Sequence, residues 1–277
     1  MADITAAAVK ELREKTGLPL MDCKKALSEC DGDQDGAIQW LRERGAQVFA
    51  KRSGRDTAFG RFGLHTNIDE GIGAMVELKC ESAPVTQNEE FIALANGLAK
   101  QLATGPGASS AEELLAQPSP DDPSKTLAEL KDDLFNRVRE VFNVGRMIRV
   151  EGSCAGYSHN AGTVAGVLLR VEGGNQEAAR DVCMHVAAMR PSGLTTDDID
   201  PAEVKREREI LRGAALQEGK PEEIVDKMVE GRMRNYFAEH VLLEQLFVKG
   251  DKQTVGQFAE EHGMTVKQFV HWVLGEE

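Results

Sequence analysis

Three short amphipathic segments fill the first 45 residues, and none is long enough to bury its apolar face unaided, so they must pack on one another. Thr5 stands as the cap of the first, Ile4 and Val9 occupy the two positions of a hydrophobic staple, and Gly17 suits a left-handed residue at its end. The predicted helix runs from about Ala6 to Lys15. After Pro19, the residues Leu20, Cys23, Leu27 and Cys30 recur at three- and four-residue spacing. Asp33 caps a third helix carrying Ala37, Ile38 and Leu41, with Gly45 as its expected stop. Packing the three together leaves the turn Leu18-Pro19-Leu20-Met21 at the tip with apolar side chains in water, a docking site for another protein.

Arg42, Arg44, Lys51, Arg52, Arg55 and Arg61 follow in a segment rich in Gly and Ala. Few aromatic residues stand among them at the spacing a base-stacking surface uses, so the segment reads as a solvated linker. The period then changes to two. Phe62, Leu64 and Thr66 alternate, and past Asp69-Glu70-Gly71 so do Ala74, Val76, Leu78 and Cys80 against Met75, Glu77, Lys79 and Glu81, which predicts an antiparallel hairpin. Asn88 caps a helix whose stripe of Phe91, Leu94, Ala95, Leu98 and Leu102 is long enough to cover one face of that sheet. Residues 104–123 read as a loop, after which Thr126 and Glu129 form a capping box on a helix lined by Leu127, Leu130, Leu134, Val138 and Val141.

Similar grammar returns downstream: strands at Arg146 to Gly152 and Thr163 to Glu172, then a helix from about Gln176 to Arg190 stopped by Pro191. Asp200 and Pro201 open a charged helix, Gly219-Lys220-Pro221 breaks it, and Ile224, Val225, Met228 and Val229 mark a return helix. A short helix from Thr254 to His262 and a strand from Val266 to Leu274 close the pattern. The fold class is therefore α+β: a three-helix module over 1–45, a linker over 46–60, and a first α+β subdomain with an antiparallel sheet over 61–142. A second, related subdomain takes 143–198 and 241–277, interrupted by an antiparallel helical hairpin over 199–240.

Composition excludes several functions. No stretch is apolar for the roughly 18 residues a membrane span needs, and no basic and apolar leader precedes Ala2, so neither membrane insertion nor secretion is expected. With 46 acidic against 33 basic residues the net charge is −13, which opposes direct binding to nucleic acid. Five cysteines at irregular spacing give neither an even disulfide set nor paired metal ligands, so reduced thiols in a cytoplasm, without metal or cofactor, are expected. Cys23 and Cys30 share one stripe of a short helix and read as small core residues.

The run Leu12-Arg13-Glu14-Lys15-Thr16-Gly17, followed by Met21-Asp22-Cys23-Lys24-Lys25-Ala26-Leu27 and Trp40-Leu41-Arg42, resembles the N-terminal domain of the elongation factor Ts family, a fold of the ubiquitin-associated type. The likeness recurs in Cys183-Met184-His185-Val186-Ala187-Ala188, in Gly219-Lys220-Pro221 with Lys227-Met228-Val229-Glu230-Gly231-Arg232-Met233, and in Lys252-Gln253-Thr254-Val255-Gly256-Gln257. The resemblance implies the plan of two subdomains with a coiled-coil insertion. It also implies a guanine-nucleotide exchange factor that binds elongation factor Tu with GDP, as a monomer in a 1:1 complex, and promotes GDP release so that GTP can bind. No covalent chemistry is implied. Carried over residue by residue, Lys10, Arg13, Leu20 and Met21 would touch the partner's nucleotide domain, and His185 another of its domains. Without the family likeness, Lys10 and Arg13 read equally as solvated helix charges, and Met21 as module core.

The chain departs from the family after the strand that ends at Cys80. There the family usually carries Thr-Asp-Phe-Val, the Phe acting as an apolar wedge toward the partner's nucleotide site and the Asp as a nearby polar contact. This chain reads Ser82-Ala83-Pro84-Val85, so the carboxylate is missing and Pro84 offers a smaller, rigid apolar surface. The lost area is worth ~1–2 kcal/mol. Two alternatives to exchange follow: a binding-only paralogue that holds or chaperones elongation factor Tu, and an enzyme using Cys or His. The second has little support, since Cys183 and His185, two apart on a helix, do not face each other, and no phosphate loop or triad spacing is present. Longer family members continue into a C-terminal module beyond the last strand, whereas this chain stops at Gly275-Glu276-Glu277, so that contact is expected to be missing.

Overall fold

In the computed structural model, residues 4–52, 54–219, 221–250 and 252–276 are described, without the side chains at 46, 49, 50 and 223; Lys220 of the expected helix break and Glu277 lie outside the described residues. The chain forms two compact units, Met1–Gly63 with Val76–Ile148, and Leu64–Met75 with Arg149–Glu277. The fold is α+β, with two three-stranded antiparallel sheets and a three-helix segment at the start. No helix among the described residues is long and apolar enough to cross a membrane.

In the first unit, α1 (Ala6–Thr16), α2 (Leu20–Glu29) and α3 (Gln34–Arg52) pack around Val9, Leu12, Leu18, Cys23, Ala26, Leu27, Ala37 and Leu41. Thr5 Oγ1 accepts the Ala8 N–H at 3.2 Å, and Gly17 closes α1 in the left-handed region with its N–H on Arg13 O. Helix α3 does not stop at Gly45. A Cβ there would come within 2.0 Å of Asn136 Oδ1, so this glycine serves close helix packing rather than termination. Nor is the basic segment beyond it a solvated linker: α3 takes it as far as Arg52, Arg55 pairs with Glu81 at 2.9 Å, and Arg61 Nη1 donates to Thr86 O at 2.9 Å.

Strands β1 (Phe59–Asn67), β2 (Ile72–Cys80) and β3 (Phe142–Glu151) form the first sheet in that order. The alternation read in β2 does not give one wet face, because residues from Gly73 to Leu78 are all buried. Glu77 tolerates this by taking the Arg146 N–H, Nε and Nη2 at 3.1, 3.2 and 2.8 Å. Helix α4 (Glu89–Thr104), capped by Asn88, buries the predicted stripe and lies so close to β1 that a Cβ at Gly63 would meet Ala95 O at 2.0 Å. The expected loop of 104–123 holds a short helix, α5 (Ala111–Leu115), and α6 (Leu127–Val138) has the Thr126–Glu129 capping box. Helix α6 ends before Val141, which lies in the turn leading to β3. The strand expected to open the second subdomain at Arg146 thus belongs to the first sheet.

The crossing between sheets occurs at Gly152, whose φ of +112° few other residues adopt. In the second unit β4 (Ser153–His159), β5 (Ala165–Gly173) and β6 (Met264–Val273) pair antiparallel. The small residues of β4 hid it from the periodicity reading. Helices α7 (Gln176–Met189) and α10 (Val255–Glu261) supply Ala178, Ala179, Val182, Cys183, Val186, Val255, Phe258 and Ala259 to the core over this sheet. Helices α8 (Pro201–Gln217) and α9 (Glu222–His240) form the hairpin, joined by Ala215, Val225, Val229 and Met233 and by Arg208–Glu230 and Arg212–Asp226 ion pairs.

Candidate functional site

Pro19 sets the start of α2, so Leu20 and Met21 are its first residues and stand 48 % and 69 % exposed, while Leu18 just ahead is buried in the module core. Lys10 and Arg13 are exposed on α1, Lys10 lying 3.7 Å from Glu14. The tip is anchored one residue further on, where Asp22 forms an ion pair with Arg139 in the turn after α6. Arg139 holds a left-handed backbone, φ +66°, and its carbonyl accepts Arg52 Nη1 of α3 at 2.7 Å.

The neighbouring residue, Glu140, builds the second patch. Its carboxylate accepts the Ser82 N–H at 3.0 Å and the Ser82 hydroxyl at 2.6 Å, while Cys80 Sγ donates to Ser82 O at 3.3 Å. Burial, reinforced by the charge of Glu140, pushes the Cys80 thiol up to about 12, which keeps it a donor. Beyond Ser82 the chain winds into a tight 3-10 turn, Ala83–Gln87, with Pro84 fixing its first residues and Thr86 Oγ1 bonded to Ala83 O at 2.7 Å. Val85 is buried; Ala83 and Pro84 face water. Glu81 braces the strand end through Arg55 and the Val141 N–H at 2.8 Å. Burial raises its pKa, but the Val141 N–H, Arg55 and the charge of Arg52 together more than offset that, and its carboxyl lies below the usual range. Ser82, Ala83, Pro84 and Val85 therefore form a rigid, small-residue projection. Residues 139 and 140 carry both it and the module tip.

His185 is placed differently from the surface contact carried over to it: it is wholly buried on α7. The Val248 N–H points at its Nδ1 at 3.3 Å, so Nε2 carries the proton and donates to Gln245 Oε1 at 2.9 Å; Gln245 Nε2 in turn donates to Glu239 O at 2.7 Å. Burial holds the His185 pKa below the ordinary imidazole value, against the opposing bond to Gln245. The loop so fixed presents Leu246, 64 % exposed, and Val248, 49 % exposed, flanking a Phe247 whose ring packs near His185 and Phe258. Cys183, buried nearby on α7, has its thiol pushed up by burial and is no nucleophile.

Among the described residues no three His, Cys, Asp or Glu side chains are grouped to hold a metal ion. A cleft of about 290 Å³ between α3 and α6 sets Arg42 beside Glu129, Asp132 and Asp133, mixed charges that select no simple ion. Exposed apolar residues on braced turns are what this surface offers, and those suit another protein. The family model for elongation factor Ts matches residues 81–276. Elongation factor Ts of Clostridium botulinum (strain ATCC 19397 / Type A) is 40 % identical over 287 aligned residues, covering 99 % of this chain and 93 % of that protein. The chain belongs to the elongation factor Ts family. Elongation factor Ts of Hyphomonas neptunium (strain ATCC 15444) agrees, 41 % identical over 289 aligned residues that cover all of this chain and 93 % of that one.

Sequence reasoning missed Arg139, Glu140 and Gln245, which act across long separations in the chain. Leu246-Phe247-Val248 did leave a signal, three apolar residues in succession just ahead of Lys249-Gly250.

Proposed function

We propose that this protein binds elongation factor Tu carrying GDP and promotes GDP release so that GTP can enter, acting as a monomer in a 1:1 complex in the cytoplasm. No bond is made or broken. The factor works by preferring the nucleotide-free partner, so that GDP and the factor weaken each other's binding by the same ratio. In this reading the module over 1–45 docks through Lys10, Arg13, Leu20 and Met21, and the core of 61–142 with 143–198 and 241–277 supplies the remaining contacts. His185 acts through the loop that it and Gln245 hold, and Leu246 and Val248 make the contact.

The observation that carries this reading is the clamped segment Ser82–Val85. Hydrogen bonds to the backbone and hydroxyl of Ser82, a proline-fixed turn and a buried Val85 keep it projecting even though its apolar tip is only Ala83 and Pro84. The same small tip supports a second reading, a factor that binds and holds elongation factor Tu with little exchange.

Release of a fluorescent GDP analogue from the same organism's elongation factor Tu separates the two. Rapid release with the native chain supports exchange without the usual Phe. If the native chain binds but accelerates release only after Ala83→Asp/Pro84→Phe, by up to roughly thirtyfold for ~2 kcal/mol of restored contact, the holding function is correct. Absence of binding sinks both.

A further inference from the structure

The two exposed patches of the first unit share one support. Asp22, next to Met21 at the module tip, is paired with Arg139; Arg139 is bonded through its peptide to Glu140; and Glu140 holds Ser82 at both its N–H and its hydroxyl. The turn is over-determined. Arg139 keeps a left-handed backbone that L-residues rarely adopt, while Arg52 fixes its carbonyl and Glu81 accepts the N–H of Val141 just beyond. Ser82 has its N–H, hydroxyl and carbonyl all engaged, the last by Cys80. Hydrogen bonds to a carboxylate are among the stronger ones available, so loosening Glu140 would free the start of the 3-10 turn.

We infer that Arg139 and Glu140 are positioning residues that couple the module tip to the Ser82–Val85 projection, so that seating Leu20 and Met21 on a partner fixes where Ala83 and Pro84 point. This rests on the docking reading above for its use, but the coupling itself is a property of the free protein. The coupling is reciprocal, so what steadies the tip steadies the projection and the reverse. Glu140 touches no partner in this scheme; it acts through Ser82.

Hydrogen exchange of the peptide containing Ser82–Asn88, measured on the free 277-residue chain, tests the coupling without elongation factor Tu. Glu140→Ala is expected to speed exchange there by about tenfold, and Asp22→Ala by about threefold, while a peptide within Leu94–Leu102 of α4 keeps its native rate. Asp22→Asn, which preserves shape, is the second variant should Asp22→Ala loosen the whole module, and it is expected to act in the same direction. Native-rate exchange of Ser82–Asn88 in both Asp22 variants would overturn the inference, because Ser82 would then be held by Glu140 alone with no link to the tip. In the GDP-release assay Glu140→Ala should lower the maximal rate by several-fold more than it raises the half-saturating concentration. Equal changes in both would overturn the positioning role. If the native chain releases no GDP, the exchange reading fails, and the hydrogen-exchange result still decides the coupling.

Discussion

The two units solve one problem, holding a small exposed patch in place, with opposite chemistry. In the first unit the projection and module tip are fixed by charged groups near the surface: Asp22 with Arg139, Arg55 with Glu81, and Ser82 on the Glu140 carboxylate. In the second, the loop bearing Leu246 and Val248 is fixed by a buried chain of neutral donors and acceptors through His185 and Gln245 to Glu239 O. Partly exposed ion pairs of this kind contribute modestly and stay within reach of a partner's own charges. Buried neutral networks are rigid and fail as a unit when one member is removed. Both patches are held in place, the first by charged groups that a docking partner can still reach, the second by neutral groups that it cannot.

The sharpest way to break the contrast is at Gln245. Gln245→Leu removes the acceptor of the buried His185 Nε2–H and the donor to the partly buried Glu239 O, and is expected to destabilise the protein by about 2 kcal/mol. Chemical denaturation followed by circular dichroism reads it directly. A loss below about 1 kcal/mol would mean that water replaces Gln245 and that the loop is not rigidly held.

Next in size is the response to pH. The folded pKa of His185 is lowered by burial, so the unfolded chain takes up a proton that the native state refuses. Stability from neutral His185 is therefore complete above the ordinary imidazole pKa of about 6.5 and declines as pH falls below it toward the folded value. His271 on β6 adds to the same trend: its pKa is lowered by burial and by Arg190, against Glu276, and its buried Nε2 has no hydrogen-bond partner among the described residues. Thermal midpoints measured between about pH 7.5 and pH 5 should fall on the acid side. A His185→Gln variant should show a shallower fall, although it starts lower, and an unchanged slope would assign the effect to His271 alone.

How much of this was legible in the sequence follows from the range of the interactions concerned. Caps at Thr5, Asn88, Thr126 and Asp200 are local, decided within three or four residues, and the structure has each of them. The α4 stripe and the Leu20–Met21 tip are likewise short-range patterns. Gly45 misled because a glycine that ends a helix and one that lets Asn136 approach look alike in one dimension. The strand at Arg146 was given to the wrong sheet for a related reason: its partner, Glu77, lies 69 positions away, and nothing local announces the pairing. His185 stands in a recognisable motif, but its burial depends on a loop 60 residues downstream. Family likeness identified the residue and could not supply its surroundings.

The smallest expected effect tests the charged side of the contrast most closely. Arg139→Gly removes the pair with Asp22, which at partial exposure contributes no more than about 1 kcal/mol. It also relieves a left-handed backbone that glycine adopts freely, a gain of roughly 0.5–1 kcal/mol. The two nearly cancel, so the thermal midpoint should move little even though the link between tip and projection is cut. A pronounced drop in stability would show that Arg139 anchors the module to the sheet as a structural strut. A midpoint within error of native, together with faster hydrogen exchange at Ser82–Asn88, would separate positioning from stability: the strained arginine stays at that turn for the geometry it imposes on Ser82, at no net benefit to the fold.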